Sequence, residues 1–542
     1  MPRLLFIAGL LLVLGAGTAL LAGCDSGITG TALDNRAPET ALSVRDSSLV
    51  DNLAGADRLT STVFVSWTGT DPDGFVAAFE LRFWPDAAPA PGPEEGWTRT
   101  TRTDSLVLLP IPRGERVANV VFEVRAVDNE DARDPTPART VFPIENAPPT
   151  IRLSSFELPP DTTFSVVSFA WTADDPEGRE NLSRVEVSLN DSTRFTALPP
   201  DVEFITLVGD LDGAGETTTA EVFFGETFRR TGLRLDGLRL GDDNTFYLRA
   251  VDQTDTTSTL QRYTWHAKRP DGGVLFVNDF RKSSFPVVQS FHFELLRAFL
   301  PPDTPVDTWD LSRPFVTGQG GNAPRSDALP AVADPTLRQT LALFRHIYWL
   351  SSNSTNSIVQ NNLPFAANVL DLFFENGGTL MVASPVTLPG DPAESLSNPA
   401  VLLLPISDLI TFPDSLRPTL RMPSGTPVEP LEAVPGTGQT LPPLESQQFV
   451  IGTLPYAAAT ANTVPLYRAG FLSVSRAGGQ TAPWQGPEVV ASMSADGRIG
   501  LFSLPLVNET TGAPVFTGPG GDPDAAREAV HRMLRGLGFP GR

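Results

Sequence analysis

The sequence predicts a multidomain chain of two all-β sandwiches followed by an α/β domain with a largely parallel sheet. Three observations predict it. Two motifs recur in the same order in the first half, the residues around them alternate apolar and polar, and after Arg269-Pro270-Asp271-Gly272-Gly273 apolar runs begin to alternate with helix-like stretches. At 542 residues, 41% of them apolar, the chain has room for about three domains with packed cores.

The first element is an apolar run from Leu4 to Leu21 that follows Arg3 and ends in Leu21-Ala22-Gly23-Cys24. Cys24 is the only cysteine, so no intramolecular disulfide can form and the domains must be stabilised by burial. A thiol directly after two small residues resembles the lipobox of bacterial lipoproteins. The resemblance implies a signal peptide over 1–23, lipidation of Cys24, a tether over 24–36, and a body held at the membrane of the bacterial cell envelope, facing the periplasm or the cell surface.

The next elements come in duplicate. Trp67-Thr68-Gly69-Thr70-Asp71-Pro72-Asp73-Gly74 is matched by Trp171-Thr172-Ala173-Asp174-Asp175-Pro176-Glu177-Gly178, and Arg125-Ala126-Val127-Asp128 by Arg249-Ala250-Val251-Asp252. Before each tryptophan, Thr62–Ser66 and Ser165–Ala170 are rich in β-branched and aromatic residues; after each turn, Phe79-Glu80-Leu81-Arg82-Phe83 and Val185-Glu186-Val187-Ser188-Leu189 alternate as half-buried strands do. The Asp-Pro-Asp/Glu-Gly segments have the chemistry of tight turns. A late strand follows in Phe122–Asp128 and Phe246–Asp252. Short strands around an early core tryptophan make a β-sandwich. Both units resemble fibronectin type III or related immunoglobulin-like domains, over 37–146 and 147–270, with Asn146-Ala147-Pro148-Pro149-Thr150 as a stiff junction. The second unit is longer, and 201–243 holds the excess.

Domain three spans 271–542. It opens on the apolar strand Val274–Asn278, followed by a helix from Phe285 to Leu300, a strand near Val306–Trp309, a helix over Leu337–Phe344 and a strand His346–Leu350. A helix from Pro364 to Glu375 stops at Asn376-Gly377-Gly378, and the strand Thr379–Ala383 follows at once. Residues 385–460 read as a Pro/Gly-rich insertion, 487–493 and 498–504 as a hairpin, and 523–537 as a final helix. This layout is similar to class I glutamine amidotransferase-like domains. In that family the strand matching Thr379–Ala383 leads to a nucleophilic cysteine between glycines, whereas here the turn is Val382-Ala383-Ser384-Pro385-Val386. Cysteine and glycines are missing, and Pro385 has no N–H to offer an oxyanion, so no catalytic residue is assigned.

Polar clusters elsewhere give one metal reading. Asp71, Asp73 and Asp128 in the first sandwich, with Asp175, Glu177 and Asp252 in the second, supply oxygen ligands of the kind Ca²⁺ prefers, and Asp210-Leu211-Asp212-Gly213 is a further acidic loop. The other reading is that these acids cap turns. His266, His292, His346 and His531 have no zinc spacing, and Gly318-Gln319-Gly320-Gly321-Asn322 lacks the lysine of a phosphate loop. A net charge of −23 disfavours nucleic acid as a partner. The sequence therefore points to a membrane-anchored binding protein for a protein or glycan, with no cofactor besides calcium. An envelope hydrolase or carbohydrate-acting enzyme with acids near 278–282, 310–325 and 384–391, and a structural subunit of an envelope assembly, are the alternatives.

Overall fold

A computed structural model describes residues 34–44, 58–112, 114–212, 215, 217–280, 286–311, 329–352, 362–385, 403–406, 419–451, 456, 462–475 and 479–542. Cys24 and the 1–23 segment lie outside the described residues, as do Gly318–Asn322. The chain is mostly β-sheet and divides into two compact units, Met1–Ala147 and Pro148–Arg542.

In the first unit the alternating segments become β1 (Glu39–Val44), β2 (Leu59–Thr60), β3 (Thr62–Thr70), β4 (Val76–Pro85), β5 (Thr98–Thr100), β6 (Asp104–Leu108), β7 (Val117–Asp128) and β8 (Ala138–Glu145). A three-stranded sheet β1-β3-β6 packs on a five-stranded sheet β2-β8-β7-β4-β5, a sandwich of the immunoglobulin-like kind. Trp67 is 1% exposed, and its ring meets Phe79 edge-on at 6.3 Å while its Nε1 donates to the Arg102 carbonyl at 2.9 Å. The indole thus fills the core with its one polar atom satisfied.

Both repeated motifs now have a physical account. Strand register sets Glu80 opposite Arg125 and Glu186 opposite Arg249, with ion-pair distances of 2.8 and 2.6 Å. Glu80 and Arg125 are both buried, so each needs the other. The alanine after each arginine is fully buried, and the aspartate that ends each motif caps the turn that follows. Glycine is required in the two turns for different reasons. A Cβ on Gly74 would stand 2.3 Å from Asn129 Oδ1, whereas Gly178 has φ +112°, which side-chain-bearing residues avoid.

Within the second unit, β9 (Thr150–Leu153), β10 (Thr162–Thr163), β11 (Val166–Asp174), β12 (Leu182–Leu189), β13 (Thr196–Leu198), β14 (Phe204–Gly209), β15 (Thr217–Phe224), β16 (Arg229–Arg239), β17 (Asp242–Asp252) and β18 (Gln261–Ala267) repeat the arrangement. The sheets are β10-β18-β17-β12-β13 and β16-β15-β14-β11-β9. The extra length over 201–243 becomes the hairpin β15–β16, which widens the sheet that holds the tryptophan strand.

After residue 271 come β19 (Val274–Asp279), β20 (Asp307–Asp310), β21 (His346–Ser351) and β22 (Thr379–Ala383), which pair in parallel in the order β20-β19-β21-β22, with Ile499–Phe502 parallel to β22. The helix Pro286–Phe299 follows β19, and Ala525–Gly536 packs beside it. The sheet is mixed and not largely parallel. Beyond Ile499–Phe502 it continues antiparallel through Val489–Ser494, Thr463–Ala469, Pro427–Pro430, Leu444–Ser446 and Phe516–Thr517. Part of the stretch read as an insertion therefore supplies core strands. Segments of three or four residues bounded by Pro or Gly are too short to carry a visible period. The single helix expected over 364–375 is two, Asn362–Ala367 and Asp371–Glu375, and Gly377 at φ +75° ends the second.

The second sandwich and the C-terminal sheet share a packed interface. Phe164, beside β11, is 2% exposed and meets Trp309 and Phe344 edge-on at 5.5 and 5.0 Å. Lys268 Nζ donates to the Thr308 carbonyl at 2.9 Å. Strand β11 is accordingly buried on both faces along most of its length.

Candidate functional site

Strand order reverses at β19, because β20 and β21 lie on either side of it, and open sheets of this kind place ligands outside the carboxyl ends of such strands. The residues at those ends are Asn278 and Asp279, which close β19, and Phe280 after it, Asp310 at the end of β20, Ser351 at the end of β21 and Ser384 just after β22. Asp279 is 2% exposed. Its Oδ1 accepts from Asn362 Nδ2 at 2.7 Å and its Oδ2 from the Asn362 backbone N–H at 3.1 Å, so it holds the start of the helix Asn362–Ala367. Asn278 Nδ2 donates to Asp310 Oδ1 at 3.0 Å.

Ser384 is buried, its N–H donates to the Phe502 carbonyl at 3.1 Å, and its Oγ turns to the Pro385 carbonyl at 3.3 Å. His292 shares a cavity of about 40 Å³ with Ser384, Ser351 and Phe280, room for a water molecule or two. The imidazole Nδ1 is hydrogen-bonded to the Tyr348 hydroxyl at 2.7 Å, and burial pushes its pKa down to about 3. It stays neutral at physiological pH. Sequence reasoning places His292 only within a helix; that its imidazole meets Tyr348 of β21 is a tertiary fact. A wider cleft of about 290 Å³ opens over Asn278, Phe293, Trp309 and Asp310. A larger one, about 500 Å³, lies elsewhere, on the second sandwich beside Asp191 and Arg194, which pair with each other at 2.9 Å.

The remaining histidines are dispersed. His346 Nδ1 meets Thr379 Oγ1 at 2.8 Å, His531 Nε2 meets the Leu295 carbonyl at 3.0 Å, and His266 Nδ1 lies 2.9 Å from Asp243.

The turns of Asp71, Asp73 and Asp128 in the first sandwich, and of Asp175, Glu177 and Asp252 in the second, each lie at one end of their sandwich, whereas Asp210 follows β14 at the other end of the second. In the first, Asp71 Oδ1 accepts the Asp73 N–H at 3.3 Å, Asp73 Oδ2 accepts the Arg36 N–H at 3.1 Å, and Asp128 accepts from the N–H groups of Glu130 and Ala132 and from Asn35 Nδ2 at 2.6 to 2.8 Å. Burial raises the Asp128 pKa, but those hydrogen bonds outweigh it and hold the carboxyl below its ordinary value. These acids clamp the segment that enters the sandwich. Asn35 was not singled out from sequence, and nothing local marks it.

In the second sandwich, Asp252 Oδ1 accepts from the N–H groups of Thr254 and Thr256 at 2.8 Å, and Asp175 Oδ1 from the Glu177 N–H at 2.9 Å and Asn181 Nδ2 at 3.1 Å. Asp210 Oδ1 accepts the Asp212 N–H at 3.0 Å. Asp175 is 4% exposed, and its Oδ2 finds no hydrogen-bond donor. Burial, then the neighbouring Glu177 carboxyl, push its pKa up to about 7. Among the described residues, no three His, Cys, Asp or Glu side chains converge as a metal shell.

A pH prediction follows from Asp175. With a folded pKa above the unfolded value, the folded unit holds a proton that the unfolded chain releases, so this group's contribution falls as pH rises from about 4 towards 7. Thermal unfolding should show Asp175→Asn more stable than the parent at pH 8, with the advantage shrinking by pH 5. Equal midpoints at pH 8 would refute this. Calcium at pH 8 that raises the parent midpoint and leaves that of Asp175→Asn unchanged would identify the turn as a cation site.

No family model matches the sequence, and no curated protein matches it. Among solved structures, the fibronectin(III)-like modules of Clostridium thermocellum CbhA are 14% identical, with 42% of this chain and 95% of that chain covered and a TM-score of 0.16. The chicken interferon gamma receptor alpha chain is 10% identical, with 39% and 97% covered and a TM-score of 0.20. The assignment of tandem sandwiches rests on the strand pairing given above.

Proposed function

We propose that this chain is a bacterial cell-envelope lipoprotein that works by binding. Lipid on Cys24 holds it at the membrane, the sandwiches carry and present it, and the C-terminal region is an α/β domain of amidotransferase-like layout that docks a protein or glycan without catalysis. The observation that carries this reading is the state of the carboxyl ends of the parallel strands. Asp279 is engaged in capping a helix, His292 faces Tyr348, and Ser384 is buried beside a residue that has no N–H. Hydrolysis needs a nucleophile, a base within hydrogen-bond reach and an oxyanion donor, and these side chains are committed to the fold.

The full chain tests this when assayed for glutamine hydrolysis and for labelling by a serine-reactive fluorophosphonate. Loss of one oxyanion donor alone costs about 10²–10³ in rate, so neither activity should be measurable. Turnover, or labelling abolished by Ser384→Ala, would restore the hydrolase reading.

A further inference from the structure

The second sandwich has a cavity that its extra hairpin creates. Strands β15 and β16 have no counterpart in the first sandwich among the described residues. Where β16 approaches β12 of the facing sheet, a cavity of about 500 Å³ opens, within the size range of small-ligand sites. Its two walls, residues 188–196 and 235–239, are described without a gap. A buried amide network fixes one wall to the other. Asn190, at φ +57°, donates from Nδ2 to the Gly237 carbonyl at 2.7 Å and to Asn244 Oδ1 at 2.9 Å, and its Oδ1 accepts the Thr245 N–H at 2.7 Å. Asn244 is fully buried; it also accepts the Arg239 N–H and donates to the Arg239 carbonyl, both at 2.8 Å. Both amides are satisfied, so the walls are set before any ligand arrives.

Gly237 then arranges the charges. Side chains three residues apart on a strand ordinarily point to opposite faces. At Gly237, φ +93°, the register with β15 shifts by one residue, so Leu235 and Leu238 both enter the core while Asp236 and Arg239 both stay exposed and line the cavity. Among the described residues, neither of these two side chains forms an ion pair within 4.0 Å. A carboxylate and a guanidinium therefore share one cavity, each open to a ligand. On the other wall Arg194 directs its Nε to Asp191 at 2.9 Å, and the Phe195 ring is held by the Arg249 guanidinium 4.1 Å from its centre.

We propose that this cavity binds a short neutral oligosaccharide, with Asp236 accepting from sugar hydroxyls, Arg239 donating to them and Phe195 packing against a sugar ring. The lining selects this class. An anion would meet Asp236 and a cation would meet Arg239, so neither gains from the cavity as a whole. An apolar ligand would desolvate both groups and leave them without partners. A free amino acid answers both charges but fills only part of this volume. A sugar hydroxyl donates to a carboxylate and accepts from a guanidinium, and the C–H face of the ring suits an aromatic wall. The site is separate from the carboxyl ends of the parallel strands, and it rests neither on the lipid nor on the docking role proposed above.

Calorimetric titration of the full chain, in a detergent without a sugar headgroup, tests the proposal with maltotriose, cellotriose and tri-N-acetylchitotriose as probes. At least one should bind saturably at millimolar concentration. Asp236→Ala and Arg239→Ala, both at exposed positions, should each weaken that binding by about tenfold or more with an unchanged melting curve. Arg234→Ala, on the same strand but outside the cavity, should leave it unchanged. No binding of any of the three sugars, or binding that survives both cavity substitutions, would overturn it.

Discussion

Replacing Phe164 with alanine should destabilise the Pro148–Arg542 unit by about 3–5 kcal/mol, the usual cost of removing a buried phenylalanine. The ring sits between the second sandwich and the C-terminal sheet, against Trp309 and Phe344, with Lys268 Nζ 5.4 Å from its centre. Truncation leaves a cavity bounded by two aromatic side chains from one region and strands from the other. Neither side can close it without shifting the interface. Thr60, the counterpart of Phe164 in the first sandwich, is exposed, so Thr60→Ala should change stability by less than about 0.5 kcal/mol. Equilibrium unfolding in urea, followed by tryptophan fluorescence, would measure both. If the Phe164→Ala cost fell below about 1 kcal/mol, the packed interface would be refuted, and the second sandwich would be expected to unfold separately from the C-terminal sheet.

That interface also marks where sequence reasoning stopped. The strands of each sandwich were legible because alternation reports one buried face, and duplication doubled the signal in Trp67 and Trp171. What alternation cannot report is a strand buried on both faces by small polar residues. Ser168 looks solvent-facing in the sequence, yet it is covered by Thr336, 168 residues away. The same holds for the candidate site. The missing glycines and Pro385 beside Ser384 were visible in the sequence, because backbone chemistry is written in residue type. That Asp279 caps the helix at Asn362, 83 residues on, and that His292 meets Tyr348 required the sheet order. The acidic residues are legible as a cluster, but two of the donors in the first sandwich, Asn35 Nδ2 and the N–H of Arg36, come from an entering segment with no motif of its own.

Cys24→Ala should abolish lipid attachment completely, an all-or-none effect because the chain has no other cysteine. On the proposed lipoprotein reading, the apolar run Leu4–Leu21 and the small residues Ala22 and Gly23 would put this thiol where a lipoprotein peptidase cuts, and the modified cysteine would then begin the mature chain. Each buried methylene contributes roughly 0.8 kcal/mol, so two or more acyl chains anchor a protein stably where one does not. Without the thiol there is no acceptor, and the chain should persist as an unlipidated precursor with its leader attached. Metabolic labelling with a radioactive fatty acid, read beside the migration of the protein on a gel, distinguishes the outcomes. Label on the parent and none on a slower-migrating Cys24→Ala variant supports the anchor. Label retained by the variant, or absent from the parent, would remove the lipoprotein reading while leaving both sandwiches and their interfaces intact, since Cys24 lies outside every strand and contact described above.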